Sequence, residues 1–160
     1  MQAVTVGYEP PAGVASLDGP ASSVVTVGLA AFAAVELALA VFMTVSPHGF
    51  YKAVGPFGAY NGHYIRDVAT FYAAIGIALL IAIRNVSWRV PVLAVTTFQY
   101  ALHSLNHLLD IGKAHPAWNG YFDFFSLAAA TVLLAWLWRT AARGAGAHAV
   151  DRAMTPERRQ

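Results

Sequence analysis

Four apolar stretches, Val24–Val45, His63–Arg84, Val90–Gly112 and Trp118–Trp138, alternate along the chain with short polar or Pro/Gly-rich segments. Each is close to the about 20 residues an α-helix needs to cross the hydrocarbon core of a bilayer, so the pattern predicts four transmembrane helices. Between the first two lies "SPHGFYKAVGPFGAYNG". Its prolines and glycines break helix, while Phe50, Tyr51, Phe57 and Tyr60 suit an interface. This segment is expected to lie on the membrane surface as a partial cap. The connections "NVSW" and "KAHPA" are tight, and short connections put neighbouring helices antiparallel. The expected fold class is therefore all-α, an integral membrane up-down four-helix bundle over residues 22–139. A mobile N-terminal tail is expected at 1–21 and a basic, disordered C-terminal tail at 140–160, with arginines meeting lipid headgroups. Asn61 and Asn119 stand at helix starts, where capping accounts for them.

Composition agrees with this pattern. Of 160 residues, 58% are hydrophobic and 11% charged, against about 25% charged in soluble domains. The formal net charge of +2 is no nucleic-acid signature, because most arginines fall near helix ends and in the C-terminal tail. The chain has no cysteine, which excludes disulfides, thiolate zinc sites and Cys-ligated iron–sulfur clusters. Any metal must then be held by nitrogen and oxygen. No nucleophile arrangement, phosphate loop or dinucleotide fingerprint is present.

Lys and Arg set the expected orientation. Arg84 and Arg89 bracket the second connection, and Arg139, Arg143, Arg152, Arg158 and Arg159 follow the fourth helix, whereas the first and third connections offer only Lys52 and Lys113. Both termini are expected in the cytoplasm.

The third stretch contains "YALHSLNHLLD", residues 100–110, and ionisable groups inside a membrane are a functional-site hypothesis by default. At about 1.5 Å of rise per residue, His103 lies about 13 Å deeper than Gly112, and Glu36 reaches a similar depth from Val45. His63, Arg66 and Asp67 fall in the first turns of the second helix, and Asp123 falls about one turn into the fourth. His103, His107 and Asp110 lie within about 60° on a helical projection, with Gln99 and Asn106 flanking them. His63, Arg66 and Asp67 likewise share a face. Polar groups confined to one side of a lipid-bathed helix are expected to point into the bundle, at the level nearest the outer surface.

Glu36, Asp67, Asp110 and Asp123 against Arg66 leave a negative excess that needs neutralisation. Protons, imidazolium or a divalent cation would supply it. His at i and i+4 with a carboxylate one turn on is a metal-ligand spacing. The expected metal ligands are His63, Asp67, His103, His107 and Asp110. Glu36, Arg66, Asn106 and Asp123 are expected as additional or supporting groups. Zinc, iron or manganese fits such donors. Other readings stay open: a structural hydrogen-bond network, a haem between His63 and His103 or His107, and a proton or ion pathway through Glu36. Haem fits less well, since carboxylates crowd the layer where a porphyrin needs apolar walls.

"AYNGHYIRDVATFYAAIGIALLIA" followed by the His-rich third helix resembles a group of small actinobacterial four-helix membrane proteins over roughly Ser46–Trp138. Tyr60, Asn61, His63, Arg66 and Asp67, then His103, His107 and Asp110, carry the resemblance. Members often have an acidic residue where Gly62 stands and a further histidine near Asp110. The resemblance implies a bacterial plasma-membrane protein and supplies no reaction. The expected function is an outward-facing, metal-binding membrane protein, as a metal-dependent oxidoreductase or hydrolase if it is an enzyme. The alternative is an accessory subunit of a larger membrane complex. The partners expected are the lipid bilayer and further protein subunits, with the homo-oligomer among the options, and no nucleic acid.

Overall fold

The computed structural model describes the backbone of residues 20–154 and the side chains of residues 22–147. The described residues form five helices and no strand: α1 Pro20–Val45, α2 Pro47–Ala53, α3 Gly62–Arg84, α4 Val86–Leu109 and α5 Trp118–Met154. The N-terminal tail assignment over 1–19 and the last residues, 155–160, lie outside this description.

Local chemistry sets the boundaries. α1 stops at Val45, just before Ser46–Pro47, because a proline disfavours helical geometry in the residue before it; Pro47 then opens α2, where its missing N–H costs nothing. Asn61 caps α3 as expected, its Oδ1 accepting from the backbone N–H groups of His63 and Tyr64 at 3.1 Å. Asn85 alone joins α3 to α4. Its N–H donates to the Ile81 carbonyl, while its Oδ1 accepts from Ser87 N–H and hydroxyl. Such a connection forces α3 and α4 antiparallel.

The four long helices pack in a ring: α1 on α3, α3 on α4, α4 on α5 and α5 on α1, with the largest contacts at α1–α3 and α4–α5. Val25, Leu29, Phe32 and Ala33 of α1, Leu79 and Ala82 of α3, Leu93 and Tyr100 of α4, and Leu134 and Leu137 of α5 form the core. Close approach is built on glycine. A Cβ on Gly76 of α3 would lie 2.7 Å from Leu37 Cγ and 3.2 Å from Glu36 Cβ on α1.

Three helices, α1, α3 and α5, are long and apolar enough to cross a membrane. Their outward faces carry large apolar side chains, among them Val27, Phe71 and Val132. That outer surface suits lipid rather than water. α4 is as long but too polar to join them on composition, because Thr96, Thr97, Gln99, His103, Ser104, Asn106 and His107 interrupt its apolar residues.

Two expectations change. The fourth helix does not end near Trp138 but runs on to Met154. The segment "RTAARGAGAHAV" is alanine-rich, and alanine is the best helix former; Gly144 and Gly146 each cost about 1 kcal/mol without stopping it. Arg89, counted above with Arg84 as bracketing the second connection, is only 8% exposed. Its guanidinium bonds inward, to carbonyls of α3 and hydroxyls of α1.

Candidate functional site

The end of the bundle that carries α2 encloses a cavity of about 520 Å³. Each long helix contributes to it: α1 through Phe32, Leu39 and Met43, α3 through Tyr64, Val68 and Tyr72, α4 through Tyr100, His103 and His107, and α5 through Phe122, Asp123 and Ser126. Phe50 and Tyr51 of α2, with Val54, Gly55 and Phe57 after it, close the end. The segment expected to cap the bundle does so as a short helix and a turn.

The cap is tied down by a few polar bonds. The Tyr51 hydroxyl donates to the Gly58 carbonyl, and Gly58 sits at φ 62°, in the left-handed region where glycine carries no Cβ penalty. The His115 N–H donates to the Pro56 carbonyl at 3.4 Å, joining the α4–α5 connection to the cap.

Inside, His107 Nδ1 lies 4.0 Å from Asp123 Oδ2, the two side chains being 14% and 13% exposed. Both atoms are buried without a hydrogen-bond partner. The His103 and His107 rings stand one helical turn apart with centroids at 4.8 Å. The edge of the Phe57 ring meets His107 at 5.0 Å, fixing the imidazole from the cap side. Tyr100, one turn below His103, packs edge-on against Phe32 at 5.8 Å. Glu36 is 1% exposed, and neither of its carboxyl oxygens completes a hydrogen bond. Tyr72 and Tyr100, both in the cavity wall, lie within electrostatic reach of that carboxyl.

The residues expected to form one metal site are thus divided. His103 and His107 line the cavity, together with Asp123. His63 and Asp67 pair with each other at 3.3 Å on the outer face of α3, with side chains 82% and 59% exposed. Arg66 is exposed beside them and Asn106 is exposed on α4. Asp110 is the C-cap of α4, beyond its last helical residue. There it pairs with Lys113 at 2.6 Å instead of following the helical phase of His103 and His107. Among the described residues no three His, Asp or Glu side chains gather around a common metal position. The haem arrangement between His63 and the α4 histidines is likewise not formed, since His63 faces away from them.

The expectation that His63, Arg66 and Asp67 point into the bundle therefore does not hold. The inward side of α3 is chosen by Ala69, Gly76, Leu79 and Ala82, and Asp67 sits about 180° from Gly76 around the helix. Asn119 is not a cap either. It lies within α5, 5% exposed, with Oδ1 unpartnered. Tyr72, Tyr100 and Ser126 belong to the cavity but were not singled out in the sequence, and Phe57, expected as an interfacial aromatic, lines the cavity as well. Tyr100 carried a usable signal, standing at i−3 from His103 on the same face. Comparison with family models, curated proteins and solved structures gives no match.

Proposed function

We propose that this chain is a four-span integral membrane protein of the bacterial plasma membrane, with both termini cytoplasmic, whose capped cavity holds one small lipophilic molecule against His103, His107 and Asp123. The cavity itself carries this reading. Its volume of about 520 Å³ falls within the range of about 300–1,000 Å³ typical of small-molecule sites, which are mostly apolar with a few convergent polar groups. Its walls are otherwise mostly apolar and aromatic, with Asn61 and Ser126 as further polar members.

α4 completes the membrane domain on this reading. Its 24 residues reach about 36 Å at 1.5 Å per residue, enough for a hydrocarbon core of about 30 Å. Thr96 and Thr97 return their hydroxyls to the Val92 and Leu93 carbonyls, which lowers their cost in an apolar surround.

The absence of cysteine makes the topology directly testable. Lys113→Cys is expected to react with a membrane-impermeant maleimide added outside intact cells, and Arg84→Cys only after permeabilisation. Labelling of both from one side would show that α4 does not cross. For the cavity, native mass spectrometry of the full chain released gently from membranes is expected to show a small-molecule adduct that Ser126→Trp removes. An adduct-free wild-type chain would count against the reading.

One observation favours a second reading, a metal ion held by His107 and Asp123 with water completing its coordination. His107 Nδ1 and Asp123 Oδ2 are both unpartnered and face each other across 4.0 Å, and imidazole with carboxylate is a donor pair that zinc, iron and manganese accept. Elemental analysis of purified chain decides it: a stoichiometric metal lost in His107→Ala/Asp123→Ala supports it, and metal-free wild type removes it.

A further inference from the structure

We infer that the molecule this cavity takes is a lipophilic cation, a quaternary ammonium or protonated amine with apolar substituents, paired with the Asp123 carboxylate. This rests on the cavity reading above and adds the ligand's charge to it.

Charge is the first argument. Among the described residues no lysine or arginine lines the cavity, and Asp123 is the one acidic side chain in its wall. A second acid, Glu36, lies in the same interior, within reach of Tyr72 and Tyr100. The bases in the wall are His103 and His107, the latter 4.0 Å from Asp123 and without a hydrogen bond to it. A buried carboxylate without a counter-charge is costly. An anionic guest would add to that cost, and a neutral hydrocarbon would leave it unchanged. A cation removes it.

The walls make the second argument. Among the described residues eight phenylalanine and tyrosine rings line the cavity, including Phe57 from the cap, Tyr64 and Tyr72 from α3, Tyr100 from α4 and Phe122 from α5. Aromatic faces attract cations through the ring quadrupole, most strongly where water is excluded, and alkylated ammonium groups are the usual guests of such cages. The same rings supply apolar contact for the substituents.

The test uses the full chain in nanodiscs and two probes of matched shape: benzyltrimethylammonium, and neopentylbenzene, in which a quaternary carbon replaces the nitrogen. Binding is followed by saturation-transfer NMR against empty nanodiscs. The ammonium is expected to bind at least about tenfold more tightly than its neutral isostere, one decade for each 1.4 kcal/mol of charge recognition. Asp123→Asn is expected to erase that preference while neopentylbenzene still binds, which also shows that the variant cavity is intact. Equal affinity for the two probes in the wild type, or an unchanged preference in Asp123→Asn, overturns the inference and leaves the cavity reading standing. Failure of both probes to bind the wild type overturns the cavity reading and the inference with it. Should Asp123→Asn lose both probes, Asp123→Glu decides: a retained preference for the ammonium supports the inference, and equal affinity for the two probes overturns it.

Discussion

Replacing Arg89 by alanine is expected to cost more stability than any other single charge removal in the described part of the chain. Its Nε donates to the Ala82 carbonyl at 3.2 Å, and Nη2 donates to the Ile83 carbonyl at 3.1 Å and to Thr26 Oγ1 at 3.0 Å. Nη1 donates to Ser22 Oγ at 3.0 Å. Ala82 and Ile83 belong to the last turn of α3, whose carbonyls have no partner within the helix and form the negative end of its dipole. Thr26 in turn donates to the Ser22 carbonyl at 2.9 Å. One guanidinium thus fastens α4 to the end of α3 and the start of α1. A hydrogen bond to a charged group is worth about 1.5–3 kcal/mol. The four share one group and do not add, so Arg89→Ala is placed at about 3–5 kcal/mol, from about 1–3 kcal/mol for each of the two helix-end carbonyls left without a donor. Lysine keeps the charge but concentrates its donors at one point and cannot span both helices, so Arg89→Lys is expected to recover only part of the loss. Unfolding in mixed micelles, followed by near-UV circular dichroism of the four tryptophans, measures both. A double-mutant cycle with Thr26→Val is expected to give a coupling of about 0.5–3 kcal/mol. If Arg89→Ala stays within about 0.5 kcal/mol of the parent, as surface substitutions do, the guanidinium is not held by this network and the reasoning fails.

The same unfolding measurement checks three further expectations. Gly76→Val drives new atoms into Leu37 and Glu36 across the α1–α3 contact and should cost about 1–3 kcal/mol by overpacking, whereas Gly144→Ala, with nothing within 4 Å of the added Cβ, should be neutral or stabilise by up to about 1 kcal/mol. Asn61→Ala removes the side-chain acceptor for two N–H groups of α3 and should cost about 0.5–2 kcal/mol; an unchanged midpoint would show that water or lipid headgroups satisfy that turn equally well. His63→Ala combined with Asp67→Ala, which touches only an exposed pair, should leave probe binding in the cavity unaltered, and a loss would place these residues in the site after all.

Periodicity and length made the long helices legible, and turn chemistry made their boundaries legible: Asn61 caps α3, and the Pro/Gly segment before it folds over the bundle end. The site was legible only where helix phase and packing agreed. On α4 they agree: His103 and His107 share the buried side with Tyr100 and Ser104. On α3 they conflict, because the rule that polar groups turn inward competes with the need of α1 and α3 to approach closely. Gly76 and Ala69 settle the conflict, since only small residues fit at that contact, and His63 and Asp67 are left on the outside. The small residues of "YAAIGIA" held this information. Asp110 failed for a different reason. Helical phase applies only to residues inside the helix, and α4 ends one residue earlier. The cavity could not be read in advance, because its rings come from each of the four long helices and from the cap, far apart in sequence.

The polarity of α4 divides into two kinds, and the division indicates why this helix departs from the composition of its neighbours. Thr96 and Thr97 are buried, and each returns its hydroxyl to a carbonyl four residues earlier. They are satisfied wherever the helix forms and need nothing from outside. His107 is different, for its Nδ1 is buried and unpartnered, as are Asp123 Oδ2 across the cavity and both Glu36 oxygens. Each such atom costs about 1–3 kcal/mol when nothing replaces its lost water, and a chain selected for stability alone would replace it with an apolar residue of similar volume. Departures from local consistency concentrate where a fold serves something other than itself. Those of His107, Asp123 and Glu36 fall in or beside one cavity lined mainly by apolar and aromatic side chains, while Gln99 Oε1 and Asn119 Oδ1 lie outside its wall, so a guest that satisfies Asp123 and His107 stabilises the bundle as it binds. Thermal stability that rises with the concentration of the correct ligand, and fails to rise once Asp123 and His107 are both replaced, is the consequence that separates a site from a flaw in packing.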